Sequence, residues 1–110
     1  MERMVKCGHI QCSNAKDEGS VQEIKEEMIE KHIPMIIEAG EKGVQILCLQ
    51  EIFHGPYFCA EQDIKWYQSA ETVPGPLTER MAEYAKKYKM VIILPVYEKT
   101  LDGVYYNTAA

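Results

Sequence analysis

The chain is organised around one segment, Gly43-Val-Gln-Ile-Leu-Cys-Leu-Gln-Glu51-Ile-Phe-His-Gly-Pro-Tyr-Phe-Cys59. Its short apolar run, from Val44 to Leu49, is bounded by turn-forming residues, a pattern that predicts a buried strand. Such strands occupy the middle of α/β sheets that are covered on both faces. Glu51 follows at the carboxyl end, where open α/β sheets place their chemistry, so it is the first candidate catalytic residue. The alternative is a surface carboxylate that only ends the strand.

Size and charge restrict the class of protein. The 110 residues are enough for one small domain, and the formal net charge of −5 argues against nucleic-acid binding, which favours basic surfaces. The amino-terminal residues lack the apolar core and cleavage site of a signal peptide. No apolar run approaches the ~20 residues that a membrane span requires. The sequence therefore predicts a cytoplasmic protein with neither nucleic-acid nor membrane partners.

The chain contains four cysteines, Cys7, Cys12, Cys48 and Cys59. Without a secretory signal, we expect reduced thiols rather than a disulfide framework. The spacing of Cys7, His9 and Cys12 suggests a metal site, but a second pair of ligands is missing. We therefore predict neither a metal site nor a cofactor.

The first half of the chain contains clear signals for a strand and a helix. Alternation predicts a strand from Val5 to Cys12. Ser20 and Glu23 form a capping box, and apolar residues then recur at helical spacing. Pro34 lies inside this pattern, and because proline removes a helical hydrogen bond we expect a kink or a break near Lys31 to Ile33.

The second half continues the alternation of helices and strands. A short helix or irregular turn is predicted for Ala60 to Gln68, and Pro76 suits the first turn of a second helix. Met90 to Val96 reads as one apolar strand, Asp102-Gly103 as a hairpin turn, and Val104 to Ala110 as a further strand. The order strand-helix-strand-helix-strand-hairpin-strand predicts an α/β fold.

These segments resemble a known family. Glu51 and its surroundings are similar to the first catalytic segment of the nitrilase superfamily, the carbon–nitrogen hydrolases. Later stretches resemble that family's following motifs in the same order: Gly75-Pro76-Leu-Thr78, Met90 to Val96, and Tyr106-Asn107-Thr108-Ala109. The similarity is greatest to N-carbamoyl amide hydrolases, the group of the β-ureidopropionases and N-carbamoylputrescine amidases.

The resemblance implies an α-β-β-α sandwich of which this chain forms the amino-terminal portion. It matches only the beginning of the family's length, and the chain ends within a strand-like run. We therefore expect residues 1–110 to be the amino-terminal part of one hydrolase domain, truncated at its carboxyl end. Pro34 departs from the family's uninterrupted first helix. The family also implies a small-molecule substrate and, for the full-length protein, a homo-oligomer.

The resemblance also implies a glutamate–lysine–cysteine mechanism, in which Glu51 matches the glutamate that acts as general base toward the thiol. The lysine and the nucleophilic cysteine lie beyond residue 110, and none of the four cysteines here matches the nucleophile. We expect Cys48 and Cys59 to be packing residues instead. An amide or ureide carbon is a poor electrophile, and a thiolate attacks it once a nearby carboxylate, best held in a buried site, removes the proton.

The loop after Glu51 supplies candidate substrate-binding residues. We expect Phe53, His54 and Tyr57 to line the pocket, and packing within the loop is the alternative. The leading hypothesis is a hydrolase of an N-carbamoyl amine or N-carbamoyl-β-amino acid. The competing hypothesis is a catalytically inactive fragment or an assembly subdomain of such an enzyme.

Overall fold

The computed structural model describes residues 3–110; Met1 and Glu2, which belong to the predicted domain 1–110, lie outside the described residues. The α/β fold is confirmed. Two short 3-10 helices, Phe58–Ala60 and Ile64–Ser69, follow β2, where a short helix or turn was predicted. The elements in chain order are β1 (Cys7–Ile10), α1 (Val21–Glu41), β2 (Ile46–Leu49), α2 (Pro76–Tyr88), β3 (Val91–Ile93), β4 (Pro95–Leu101) and β5 (Val104–Ala109).

Strands β1, β2 and β3 form a parallel sheet with β2 in the middle, as its apolar run predicted. In this register one face carries Ile10, Leu49, Leu47 and Ile92. Both helices contribute apolar side chains to the core on that face. The core residues are Ile29, Ile33 and Ile36 of α1, Leu77 and Met81 of α2, and Ile10, Leu47 and Leu49 of the sheet.

The opposite face of the sheet is not covered by any of residues 3–110. Its six residues, read from the register, are Cys7, Ile46, Val91, His9, Cys48 and Ile93. None of these six residues is buried, and Val91 is 59% exposed. This second face therefore lacks the apolar layer that a strand in the middle of an α/β sheet normally packs against.

Helix α1 begins as its capping box predicts. The Glu23 amide donates to Ser20 Oγ at 3.1 Å, and the Ser20 amide donates to Glu23 Oε2 at 3.1 Å. The break expected at Lys31 to Ile33 is absent, because α1 continues through Pro34 to Glu41. Pro34 is exposed on the solvent side, while the buried stripe before and after it packs against the sheet and holds both halves of the helix in line.

Helix α2 has Pro76 in its first turn, as predicted, and the Thr78 hydroxyl accepts from the Gly75 amide at 2.8 Å. Its last turn approaches α1 closely. A Cβ atom on Gly40 of α1 would lie only 2.3 Å from the Cγ of Tyr88. The two helices reach this separation only because residue 40 is a glycine.

The single strand expected from Met90 to Val96 is wrong, because two strands in different sheets replace it. Leu94 separates β3 from β4, and its amide and carbonyl bond the carbonyl and amide of Ala110 at 2.8 and 2.9 Å. Pro95 has no N–H to continue the parallel ladder, so the chain leaves the sheet there. Strands β4 and β5 then form the predicted hairpin, with Asp102-Gly103 as its loop and Gly103 at φ +78°.

No helix within residues 3–110 is both long enough and apolar enough to cross a membrane.

Candidate active site

Glu51 is the first residue of a turn that begins where β2 ends. Its side chain is exposed, and the amide Nδ2 of Asn107 donates a hydrogen bond to Glu51 Oε1 at 2.7 Å. Among the described residues, no lysine or cysteine hydrogen-bonds Glu51. The buried setting expected for a general base is therefore not formed by residues 3–110, because the turn lies at the open end of the sheet.

The residue after Glu51 has an unusual backbone. Ile52 has φ +47°, in the left-handed region, and its side chain is buried. A β-branched residue rarely adopts this conformation, because its side chain crowds the backbone, and such strain persists only where surrounding contacts impose it. The contacts that impose it here come from the hairpin.

Two hydrogen bonds attach the turn to strand β4. The Phe53 amide donates to the carbonyl of Pro95 at 3.2 Å, and the Tyr97 amide donates to His54 Nε2 at 3.1 Å. Together with the Asn107 bond on β5, these contacts connect the Glu51 turn to both strands of the hairpin. The split of the apolar run at Leu94 is what brings the hairpin to this position.

Phe53 and His54, which were expected to line a substrate pocket, lie in the interior of the part of the chain that the structure describes. Both side chains are 0% exposed. The Phe53 ring lies edge-on to the rings of His32 and His54, with centroids 5.2 and 5.8 Å apart. Within residues 3–110 both side chains pack inward, because the turn folds back beneath the hairpin. A role for either residue in substrate binding stays a prediction.

His54 is a neutral imidazole at pH 7. Its Nε2 accepts from the Tyr97 amide, so Nδ1 carries the proton, and Nδ1 has no hydrogen-bond partner among the described residues. The pKa of His54 is lowered from 6.5 to about 4, mainly by burial and in part by the positive charge of Lys25. A charged imidazolium is therefore disfavoured at the base of the site.

Beneath the site, Lys25 of α1 forms an ion pair with Glu71, and the two side chains are only 12% and 10% exposed. The Glu71 backbone also pairs with β4. The Glu71 amide donates to the Tyr97 carbonyl and the Lys99 amide donates to the Glu71 carbonyl, both at 2.8 Å. No sequence signal indicated this pair, because Lys25 belongs to the polar side of the helical pattern.

Tyr57 is 68% exposed, and its pKa is raised by the neighbouring Cys59, with a smaller contribution from Glu51. It borders a cavity of about 230 Å³. A neighbouring cavity of about 340 Å³ is lined by Phe58, Cys59, Glu61, Gln62, Asp63, Ile64, Trp66, Tyr67 and Tyr97. Of the three predicted substrate-binding residues, Tyr57 alone is accessible.

The larger cavity and Glu51 lie on the same side of the hairpin. Tyr97 is directly opposite Asn107 in the β4–β5 register, so their side chains share one face. Tyr97 stacks on Tyr105 of β5 at 5.3 Å, as residues on one face do. Tyr97, which lines the larger cavity, therefore shares a face of the hairpin with the side chain that binds Glu51.

All four cysteines are free thiols, as predicted. Cys48 is half-buried, whereas Cys59 is exposed, so the expectation that Cys59 is a packing residue is wrong. The loop that carries Cys59 lies on the surface and contributes it to the cavity rim. Within residues 3–110, no group of three or more histidine, cysteine, aspartate or glutamate side chains is arranged to hold a metal ion.

The sequence and structure resemble those of characterised proteins. The pattern that defines the family "Carbon-nitrogen hydrolase" matches residues 8–110. A β-ureidopropionase of Arabidopsis thaliana is 42% identical over 74% of this chain and 21% of its own. An N-carbamoylputrescine amidase of Oryza sativa subsp. japonica is 32% identical over 80% of this chain and 29% of its own. An ω-amidase of Xenopus tropicalis is 34% identical over 82% of this chain and 31% of its own.

The fold is also that of a solved structure, a carbon-nitrogen hydrolase from Helicobacter pylori G27, with a TM-score of 0.79. The match covers 96% of this chain and 34% of that one, at 24% sequence identity. The chain thus spans between a fifth and a third of the length of the relatives it matches.

Proposed function

The chain belongs to the carbon-nitrogen hydrolase family, and we propose that in the complete protein it supplies the general base of an amidohydrolase. The reaction would cleave a non-peptide C–N bond in an N-carbamoyl amine or an N-carbamoyl-β-amino acid. The observation that carries the proposal is the location of Glu51, which follows the central parallel strand in a turn held by hydrogen bonds from both hairpin strands.

In this mechanism Glu51 takes the proton from a cysteine thiol that the rest of the polypeptide provides, and the thiolate attacks the carbamoyl carbon. A lysine, also outside this chain, stabilises the oxyanion of the tetrahedral intermediate. Glu51 returns this proton to the departing nitrogen, so that the C–N bond breaks, ammonia leaves and a thiocarbamate of the cysteine remains. Glu51 then takes a proton from water, which attacks the thiocarbamate carbon; the thiol leaves with that proton, and the released carbamate breaks down to carbon dioxide and the amine.

We propose that residues 1–110 are the amino-terminal part of one domain. Two features support this. Glu51 is exposed although a general base functions best away from bulk water, and the face of the sheet that carries Val91 has no covering layer. The greater length of the matched relatives supports the same proposal, since a protein of their length would have further chain to cover both. A cytoplasmic location and homo-oligomerisation of the complete protein stay predictions.

A second candidate is a catalytically inactive fragment or an assembly subdomain. It is favoured by the absence, among residues 3–110, of a lysine or cysteine that hydrogen-bonds Glu51. This candidate describes the isolated chain and is compatible with an active complete protein. The two are separated by comparing the chain alone with the full-length polypeptide.

The test is ammonia release from N-carbamoyl-β-alanine and N-carbamoylputrescine. In the complete protein, Glu51→Gln is expected to lower turnover by about 100-fold or more, because the amide cannot accept the thiol proton. Glu83→Gln, an exposed change on α2, is the matched control and should leave turnover intact. Near-normal turnover of Glu51→Gln would remove Glu51 from the mechanism, and ammonia release by residues 1–110 alone would refute the inactive-fragment hypothesis.

A further inference from the structure

Asn107 is placed to orient the candidate base. Its amide Nδ2 donates to Glu51 Oε1 at 2.7 Å, between residues that are 56 positions apart in the chain. Both residues are exposed, so each could satisfy its polar atoms with water instead. A short, long-range bond between two solvated side chains costs rotamer entropy in both, and it therefore selects one orientation of the carboxylate.

The backbone under Glu51 is held by the same hairpin. The Phe53 amide bonds the Pro95 carbonyl, and His54 Nε2 accepts from the Tyr97 amide. Tyr97 is the residue directly opposite Asn107 in the β4–β5 pair. The paired residues Tyr97 and Asn107 thus contact His54 and Glu51 at the two ends of the turn. Ile52, with its positive φ, lies between these contacts.

The three contacts differ in what they restrain. The two bonds to β4 hold the turn's backbone, whereas the Asn107 bond is the one that reaches the carboxylate oxygens themselves. It occupies a single oxygen, Oε1, and Oε2 has no hydrogen-bond partner among the described residues. A base needs one oxygen free to receive a proton and a fixed direction in which to present it.

We infer that Asn107 is a positioning residue, which fixes Glu51 Oε1 so that Oε2 faces the incoming thiol. This inference rests on the proposed function of Glu51. Asn107 acts through the carboxylate and does not touch the substrate. Its removal should therefore slow the chemical step without weakening substrate binding.

The experiment uses the complete protein with N-carbamoyl-β-alanine and N-carbamoylputrescine as probes. Asn107→Ala is expected to lower kcat by about 10- to 100-fold while KM changes by less than about twofold, since orientation rather than binding is lost. Asn107→Asp should lower kcat at least as far, because a second carboxylate repels the first. Thr108→Ala is the matched control, as the Thr108 hydroxyl bonds Glu98 instead and should leave kcat unchanged.

A second measurement is independent of turnover. Hydrogen–deuterium exchange of the peptide that contains residues 51–55 should accelerate in Asn107→Ala and not in Thr108→Ala, because one of the three hydrogen bonds from the hairpin to the turn is lost. Asn107 is exposed, so its truncation leaves no cavity and the unfolding midpoint should not change.

The outcomes separate this inference from the proposed function. If Glu51→Gln stops turnover while Asn107→Ala keeps wild-type kcat and wild-type exchange, Asn107 has no positioning role and the function stands. If Glu51→Gln turns over normally, the function fails, and the inferred catalytic role of Asn107 fails with it. In a Glu51→Gln background, Asn107→Ala should add less than about twofold to the loss, because the two residues act as one unit.

Discussion

His54 combines complete burial with a nitrogen that must remain unprotonated. In the unfolded chain a histidine titrates near 6.5, whereas burial keeps the folded pKa at about 4. Between these values the unfolded state binds more protons than the folded state, so stability falls as the pH decreases through this window and the loss saturates below about 4. At higher pH both states are neutral and the contribution is constant.

We therefore predict that His54→Gln flattens the pH dependence of unfolding. From pH 7.5 to pH 5 the wild-type protein should lose on the order of 2 kcal/mol more than the variant, whose amide oxygen still accepts from the Tyr97 amide. Urea unfolding at a series of pH values measures this difference. His9→Gln, the same substitution at an exposed histidine, is the control. Parallel curves for wild type and His54→Gln would contradict the prediction.

For single residues, the sequence predicted where a residue lies relative to strands and turns, but it did not predict what surrounds the side chain. The location of Glu51 after β2 was predicted because the end of an apolar strand is a local pattern, while its catalytic role stays a prediction. The burial of Phe53 and His54 depends on contacts with β4, which no spacing within the loop encodes. Asn107 carried no role in the sequence-based prediction for the same reason, since its partner lies on a distant turn.

A substitution of Pro34 in helix α1 tests how far tertiary packing outweighs the low helix propensity of proline. Pro34→Ala should raise the free energy of unfolding by about 2 kcal/mol, because it restores one backbone hydrogen bond and relieves the clash of the ring with the preceding turn. Urea unfolding provides the measurement.

Pro76→Ala is the matched control for that prediction. Pro76 lies in the first turn of α2, where its missing N–H has no helical partner to lose. The substitution should therefore give no gain, and a loss of up to about 1 kcal/mol is expected from the freer unfolded chain. An equal gain at both positions would show that the effect is unrelated to the helix interior.

Elements with short-range signals were predicted well. Ser20 with Glu23 and Asp102 with Gly103 are signals contained in four residues or fewer, and both formed as expected. The boundary at Leu94 was missed because β3 and the first two residues of β4 read as one apolar run. Pro95 was the local signal for this boundary, whereas the pairing of Leu94 with Ala110 is a long-range contact that periodicity does not show.

At the scale of the whole molecule, the uncovered face of the parallel sheet is expected to determine how residues 1–110 associate. An apolar sheet face left in water is a surface for association. Residues 1–110 expressed alone are expected to sediment as oligomers, and Val91→Lys should shift them toward monomer, because it places a charge on the most exposed apolar residue of that face.

Ile64→Lys is the comparison for this prediction. Ile64 is 81% exposed but lies in a 3-10 helix outside the sheet, so the same charge there should leave the oligomers intact. Analytical ultracentrifugation at several concentrations distinguishes the two variants. A monodisperse monomer of the unmodified chain would show that the face needs no cover.

The larger, aromatic cavity contains an intrinsic fluorescent probe. Trp66 is the single tryptophan of the chain, its indole Nε1 donates to Glu61 at 2.8 Å, and its ring stacks on Phe58. Because the indole lines the cavity, intrinsic tryptophan fluorescence of the isolated chain reports on this one location without any label. A small molecule that enters the cavity and disturbs the stack would change emission intensity or wavelength, which allows ligand screening before any turnover assay exists.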